Sequence, residues 1–201
     1  MPSYPVNLVV AGRPVLVVGG GRVATGKVRR LVDSGAVVTV VAPEVSEEIA
    51  AMAGVTVERR PYAAGEVAAY RLAVTATGTG VDAQVFADGE AAGVWVNAAD
   101  DPAHCSVTLP AVARRGPIQV AVSTDGTSPA MASWLRAQLE AWLGPEHEAL
   151  LQILREERDA LRSKGTPTEG LAWREALDSG LLDLVREGRI DEARDRLRQC
   201  L

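Results

Sequence analysis

A chain of 201 residues with 47% hydrophobic and 23% charged side chains has the composition of a folded globular protein. It is long enough for one large domain or two small ones. Aromatic residues make up only 4%, and an apolar content dominated by Ala, Val and Leu favours an α/β fold over an all-β one. The net charge of -5 excludes a nucleic-acid binder held by backbone electrostatics. An anionic ligand would need a local basic patch, for which Arg22, Lys27, Arg29, Arg30, Arg114, Arg115 and Arg136 are the candidates.

Residues 1–10 lack the cationic start and long apolar stretch of a secretory signal, and no apolar run approaches the ~20 residues that span a bilayer. The two cysteines, Cys105 and Cys200, are far apart and form no metal-ligand pattern. A reduced, cytoplasmic setting is the expectation, with no membrane and no bound metal.

Val15 to Val18 is a short apolar run ending in three glycines, as expected of a strand buried on both faces of a parallel sheet. Val23 to Asp33 places Ala24, Val28, Leu31 and Val32 on one helical face, and Ser34-Gly35 ends that helix. Val37 to Val41 is a second strand, completing a βαβ unit. The alternation continues with a helix at Glu47 to Ala53 and strands at Val55 to Glu58 and Leu72 to Thr75. A helix at Ala83 to Ala92 and a strand at Val94 to Asn97 follow. The predicted fold is therefore α/β, a doubly wound parallel sheet of the Rossmann kind, ending near Arg114.

Two more strand-like pieces follow, Ser106 to Leu109 and Ile118 to Ser123. Beyond the turn Asp125-Gly126, Thr127 or Ser128 can cap a helix that has Pro129 at its first position. That helix, Ala130 to Leu143, carries Met131, Trp134, Leu135, Leu139 and Trp142. The rest is expected to be helical: Glu146 to Ser163, Glu169 to Asp178, Leu181 to Glu187 and Asp191 to Gln199. The expected domains are 1–114 (dinucleotide-binding), 115–145 (a dimerisation segment) and 146–201 (helical).

Gly19-x-Gly21-x-x-Ala24 matches the pattern of a dinucleotide-binding turn, between a strand and a helix. The first glycine permits the tight turn, the second lets a pyrophosphate approach the backbone, and a small third residue lets helix and strand pack closely. Free N–H groups at the helix start then face the phosphates. The acidic residue that usually ends the second strand and binds a ribose is missing. Ala42-Pro43 stands there, with Glu44 just beyond, so NAD over NADP is only a preference.

Val17-Val18-Gly19-Gly20-Gly21-Arg22-Val23-Ala24, Lys27 and the stretch Gly35 to Pro43 resemble the precorrin-2 dehydrogenase family of the siroheme-synthase type. So do Val96-Asn97-Ala98-Ala99-Asp100-Asp101-Pro102 with Cys105, and the stretch Val120 to Pro129. The resemblance implies a homodimeric enzyme that oxidises precorrin-2 to sirohydrochlorin with NAD, some members also inserting ferrous iron. It implies a Rossmann domain, a dimerisation segment and a helical tail. It also implies cofactor contacts at Gly19, Gly20, Gly21, Arg22, Val23, Ala42, Pro43, Glu44, Thr77 and Asn97. The chain departs from the family pattern at Gly26, at Thr77-Gly78-Thr79-Gly80, at Gln84 and around Cys105.

Oxidising precorrin-2 removes a hydride and a proton, and one general base suffices for the proton. Asp100 follows the carboxyl end of a strand, where ligands gather in such folds, and it matches the family's catalytic aspartate. Read from the residues alone, it is equally a turn residue before Pro102. Asp101 suits the turn, His104 is a rival base, and His147 is expected at the surface. Thr127 and Ser128 are candidates for holding a substrate carboxylate, with plain helix capping as the alternative. Two non-catalytic readings remain at this stage, a dinucleotide-sensing module and a tetrapyrrole carrier.

Overall fold

The computed structural model describes residues 3–201. The chain divides into two compact units, one ending at Leu109 and one spanning Pro110–Leu201.

The first unit contains β1 (Pro14–Val18), α1 (Arg22–Asp33), β2 (Val37–Val41), α2 (Glu47–Ala50), β3 (Val55–Glu58), β4 (Leu72–Thr75), α3 (Val81–Ala92) and β5 (Trp95–Ala98). All five strands pair in parallel in the order β3-β2-β1-β4-β5. The chain steps outward from β1 to β3, then returns to lay β4 on the other side of β1. That reversal leaves a crevice at the carboxyl ends of β1 and β4, the place where ligands bind in open α/β sheets.

The central position of β1 explains its unbroken apolar run: Val15, Leu16, Val17 and Val18 are all buried. One face of the sheet packs Val17, Val38, Val40 and Val74 against Ala24 and Val28 of α1 and Ile49 of α2. The other packs Leu16, Val18, Val41, Ala73 and Val96 against Val67 and against Val85 of α3. Gly89 of α3 meets the sheet so closely that an added Cβ would lie 2.4 Å from Val96 Cγ2. The helix-weakening glycine is thus required by packing.

Ser106 to Leu109 is not a strand. Instead Ser106 and Val107 both donate their N–H groups to Val96 O and seal the outer edge of β5. The next strand, β6 (Ala111–Arg115), pairs with β7 (Ile118–Val122) in an antiparallel hairpin. Hence the unit boundary falls before the Arg114 expected from sequence, because a cut there would divide β6 from its partner.

In the second unit the hairpin packs on α4 (Pro129–Trp142), with Ala113 and Ala132 buried. α5 (Pro145–Ser163), α6 (Trp173–Asp178), α7 (Leu181–Arg186) and α8 (Ile190–Cys200) follow. They enclose a core of Leu150, Ile153, Ala176, Leu181, Leu184, Val185, Ala193 and Leu197. The helix expected from Glu169 begins only at Trp173, whose indole N–H donates to Thr168 O at 2.9 Å. Arg186, Arg194 and Arg198 reach across to Glu146, Glu156 and Glu157 of α5. No helix among the described residues is long and apolar enough to cross a membrane.

Candidate active site

The glycine turn is shaped by two close approaches and one open face. Gly19 has φ +120, and a Cβ there would lie 2.7 Å from Ala76 O, since the turn passes directly over the end of β4. A Cβ on Gly20 would lie 2.1 Å from Glu44 O, and Gly20 O accepts the Ser46 N–H at 2.9 Å. Gly21 meets nothing within 4 Å. It is the N-cap of α1, a helix with no side-chain cap and no acid in its first turn. An uncapped helix start behind a residue with no side chain is a site for an anion, and it fits a pyrophosphate.

Ala24 is buried against β1 and β2 as its small size requires. Thr25, which the sequence motif does not single out, donates its hydroxyl to Gly21 O at 3.0 Å and meets Ser46 Oγ at 3.2 Å. Ser46 in turn caps α2 through Ile49 N–H. Those bonds tie the turn to the segment after β2, where Ala42 is buried while Pro43 and Glu44 are exposed. Arg22 and Val23 are exposed on the first turn of α1.

The loop after β4 is organised by a residue that sequence reasoning missed. Asp82, 3% exposed, accepts from the Thr77 hydroxyl at 2.8 Å, from Gly78 N–H at 2.9 Å and from Thr77 N–H at 3.3 Å. The signal was present as an aspartate in the first turn of a helix after Thr-Gly-Thr-Gly, a common capping arrangement. Asp82 thereby holds the Thr77 hydroxyl and fixes the loop at the end of β4.

At the carboxyl end of β5 stands Asp100, exposed, with φ +61. That left-handed backbone costs a non-glycine residue on the order of 1 kcal/mol, and such strain persists only where the surroundings over-determine it. Asn97, expected at the cofactor, is buried, and its Nδ2 donates to Val107 O at 2.9 Å. Asp101 Oδ2 accepts from His104 Nδ1 at 2.6 Å, and the His104 ring stands edge-on to Phe86. This engagement accounts for His104 structurally and leaves Asp100 as the outward-facing carboxylate of the turn.

Lys27 of α1 is half-buried. Burial, aided by Arg30, holds its ammonium below the ordinary lysine range, while the negative charge of Asp100 and the Cys105 thiol oppose that shift. Burial also pushes the Cys105 thiol above its ordinary range. Of the other candidate basic residues, Arg29 pairs with Glu48 and Arg136 with Glu140.

Thr127 and Ser128 belong to the second unit. Ser128 Oγ accepts from Met131 N–H at 3.2 Å, so it caps α4, and its backbone is braced by Thr124. Met131, Trp134 and Trp142 of α4 are 47%, 56% and 58% exposed. His147, expected at the surface, is largely covered and packs on Trp142 with ring centroids 4.6 Å apart.

Strand order, crevice, glycine turn and uncapped helix define a Rossmann-type dinucleotide-binding protein. The comparisons agree: a family model described as "Putative NAD(P)-binding" matches residues 6–111, and one described as "Sirohaem biosynthesis protein central" matches residues 115–141. A siroheme synthase of Ectopseudomonas mendocina is 34% identical over 205 aligned positions, covering 100% of this chain and 44% of that protein. One from Pseudomonas putida is 41% identical over 167, covering 81% and 36%. The chain thus spans less than half the length of these relatives. Among solved structures, "SirC, precorrin-2 dehydrogenase" matches with TM-score 0.72 and 28% identity, covering 98% of both chains. The chain belongs to the NAD(P)-binding siroheme-synthase and precorrin-2 dehydrogenase family.

Proposed function

We propose that this chain oxidises precorrin-2 to sirohydrochlorin with NAD, with Asp100 as the general base. The observation that carries the reading is Asp100 itself. It is an exposed carboxylate held in a strained backbone on the same rim of the parallel sheet as the glycine turn.

Bound NAD supplies the hydride acceptor. The turn Gly19-Gly20-Gly21 and the first N–H groups of α1, at Arg22 and Val23, would hold its pyrophosphate. Ala42, Pro43 and Glu44 would border its adenosine ribose, and Thr77 in the loop after β4 would contact the cofactor. Asp100 takes the proton that leaves the tetrapyrrole as the hydride departs, so one carboxylate balances the reaction. Thr127 and Ser128 bind a substrate carboxylate, since accepting from Met131 leaves the Ser128 hydroxyl its own proton to donate.

The proposed assembly is a homodimer that buries the exposed apolar face of α4, and the proposed setting is the cytoplasm, where both cysteines are free. The test is anaerobic oxidation of precorrin-2 followed by absorbance, with wild type and Asp100→Ala, then with ferrous iron added. Turnover lost with NAD binding retained supports the reading. Unchanged turnover removes Asp100 from the mechanism, and no turnover by the wild type removes the activity.

A further inference from the structure

The strained turn bearing Asp100 is closed by a thiol. β5 is an edge strand, and its outward N–H and C=O groups at Val96 are met by Ser106 and Val107. Val96 N–H donates to Ser106 Oγ at 2.8 Å, and Val96 O accepts the N–H groups of Ser106 and Val107 at 2.9 and 3.1 Å. Those bonds already protect the edge. Cys105 does something further. Its Sγ accepts the Ala98 N–H at 3.2 Å and lies 3.3 Å from Ala98 O and 3.4 Å from Asp101 O, within reach of its S–H. Ala98 and Asp101 flank the Ala99-Asp100 pair, so one sulfur clasps the backbone on both sides of the carboxylate.

A second side chain supports the clasp independently. Asn97 is 7% exposed. Its Nδ2 donates to Val107 O at 2.9 Å and approaches Cys105 Sγ at 3.7 Å. The amide cannot be turned over, because that would set its oxygen against the Val107 carbonyl. Its Oδ1 therefore stays buried without a hydrogen-bond partner among the described residues. A buried amide held at that cost fixes the return segment on which Cys105 sits.

We propose that Cys105 is a positioning residue for proton transfer, clasping Ala98 and Asp101 so that the Asp100 carboxylate is presented at the carboxyl end of β5, with Asn97 holding the clasp in place. The inference rests on the reading of Asp100 as the base. Burial raises the thiol above its ordinary range, which favours the protonated form that donates.

A double-mutant cycle tests the clasp. Precorrin-2 oxidation is measured for Cys105→Ala and Cys105→Ser, each in the wild-type and the Asp100→Asn background. Cys105→Ala is expected to lower kcat about tenfold to 100-fold, the scale of an ångström-level misplacement, with KM for NAD unchanged. Cys105→Ser, which keeps both donor and acceptor, restores most of the rate. In the Asp100→Asn background Cys105→Ala adds no further loss. Undiminished kcat in Cys105→Ala overturns the clasp, and so does an equal fold-loss in both backgrounds, which marks a general structural role. Full turnover by Asp100→Asn alone overturns the base assignment first, and the clasp with it. Should Cys105→Ala not fold, Asn97→Ser removes Nδ2 and carries the same comparison.

Discussion

Two adjacent glycines in the turn make opposite predictions when each is replaced by alanine. At Gly20 the new Cβ would sit 2.1 Å from Glu44 O and 2.7 Å from Val45 Cα. Both are backbone atoms, so no side chain can rotate away, and the Gly20–Ser46 hydrogen bond at 2.9 Å is strained as well. Overpacking of this kind costs about 1–3 kcal/mol, or a Tm lower by roughly 2–4 °C per kcal/mol for a chain of this size. At Gly21 the Cβ meets nothing within 4 Å and φ is -87, so Ala is conformationally acceptable. Gly21→Ala should leave Tm unchanged while weakening NAD binding at least about tenfold, roughly 1.4 kcal/mol, because the methyl group occupies the pyrophosphate's approach. Thermal unfolding followed by circular dichroism and NAD titration by calorimetry read the two effects separately. Wild-type NAD affinity in Gly21→Ala would refute the placement of the pyrophosphate, and a wild-type Tm in Gly20→Ala would refute the close approach of the turn to Glu44.

Asp82→Ala leaves the Thr77 and Gly78 N–H groups without their acceptor, so NAD affinity should fall several-fold in the same titration and stability should fall by about 1–3 kcal/mol, read as a lower Tm; Asp82→Asn should lose less. Because burial raises the Cys105 thiol pKa, the folded chain keeps a proton that the unfolded chain releases. This contribution is complete below the unfolded thiol pKa and is lost as pH rises through the folded value. Iodoacetamide should therefore modify Cys105 more slowly in the folded than in the urea-unfolded protein at pH 8.5, as read by peptide mass spectrometry, and equal rates would contradict it. Trp134→Glu on the exposed face of α4 should shift the mass measured by light scattering from dimer to monomer without loss of helix content; an unchanged mass would locate the dimer contact elsewhere.

Much of the first unit was legible because its signals are strong and local. β1 is a run of valines and leucine with no polar break, as a strand covered on both faces must be. The helix stop at Gly35, with φ +76, follows from a glycine that can take the left-handed cap. β6 was not legible: Ala111 to Arg115 mixes small and basic residues, and only the pairing with β7 makes it a strand. Ser106 and Val107 have strand-like residues but serve as an edge cover for β5 through hydrogen bonds, a tertiary role that local propensity does not encode.

The site divides in the same way. Gly19, Gly21 and Ala24 occupy the places their sizes require. Gly20, an unconstrained position in the motif, proved as sterically restricted as Gly19 because of Glu44, a residue distant in the chain. Asp82 was readable as a local capping residue, whereas the Thr25–Ser46 contact and the Cys105 clasp depend on partners that only the fold brings near. Asn97, expected at the cofactor, also holds the loop that presents Asp100, through its Nδ2 bond to Val107 O.

The central claim is that Asp100 performs the proton transfer while the glycine turn holds NAD independently of it. Anaerobic precorrin-2 oxidation by Asp100→Asn, set beside its NAD affinity, tests that claim most directly. A loss in kcat of about 10²-fold or more, with NAD affinity equal to wild type, is the predicted result. Wild-type kcat in that variant would contradict the account.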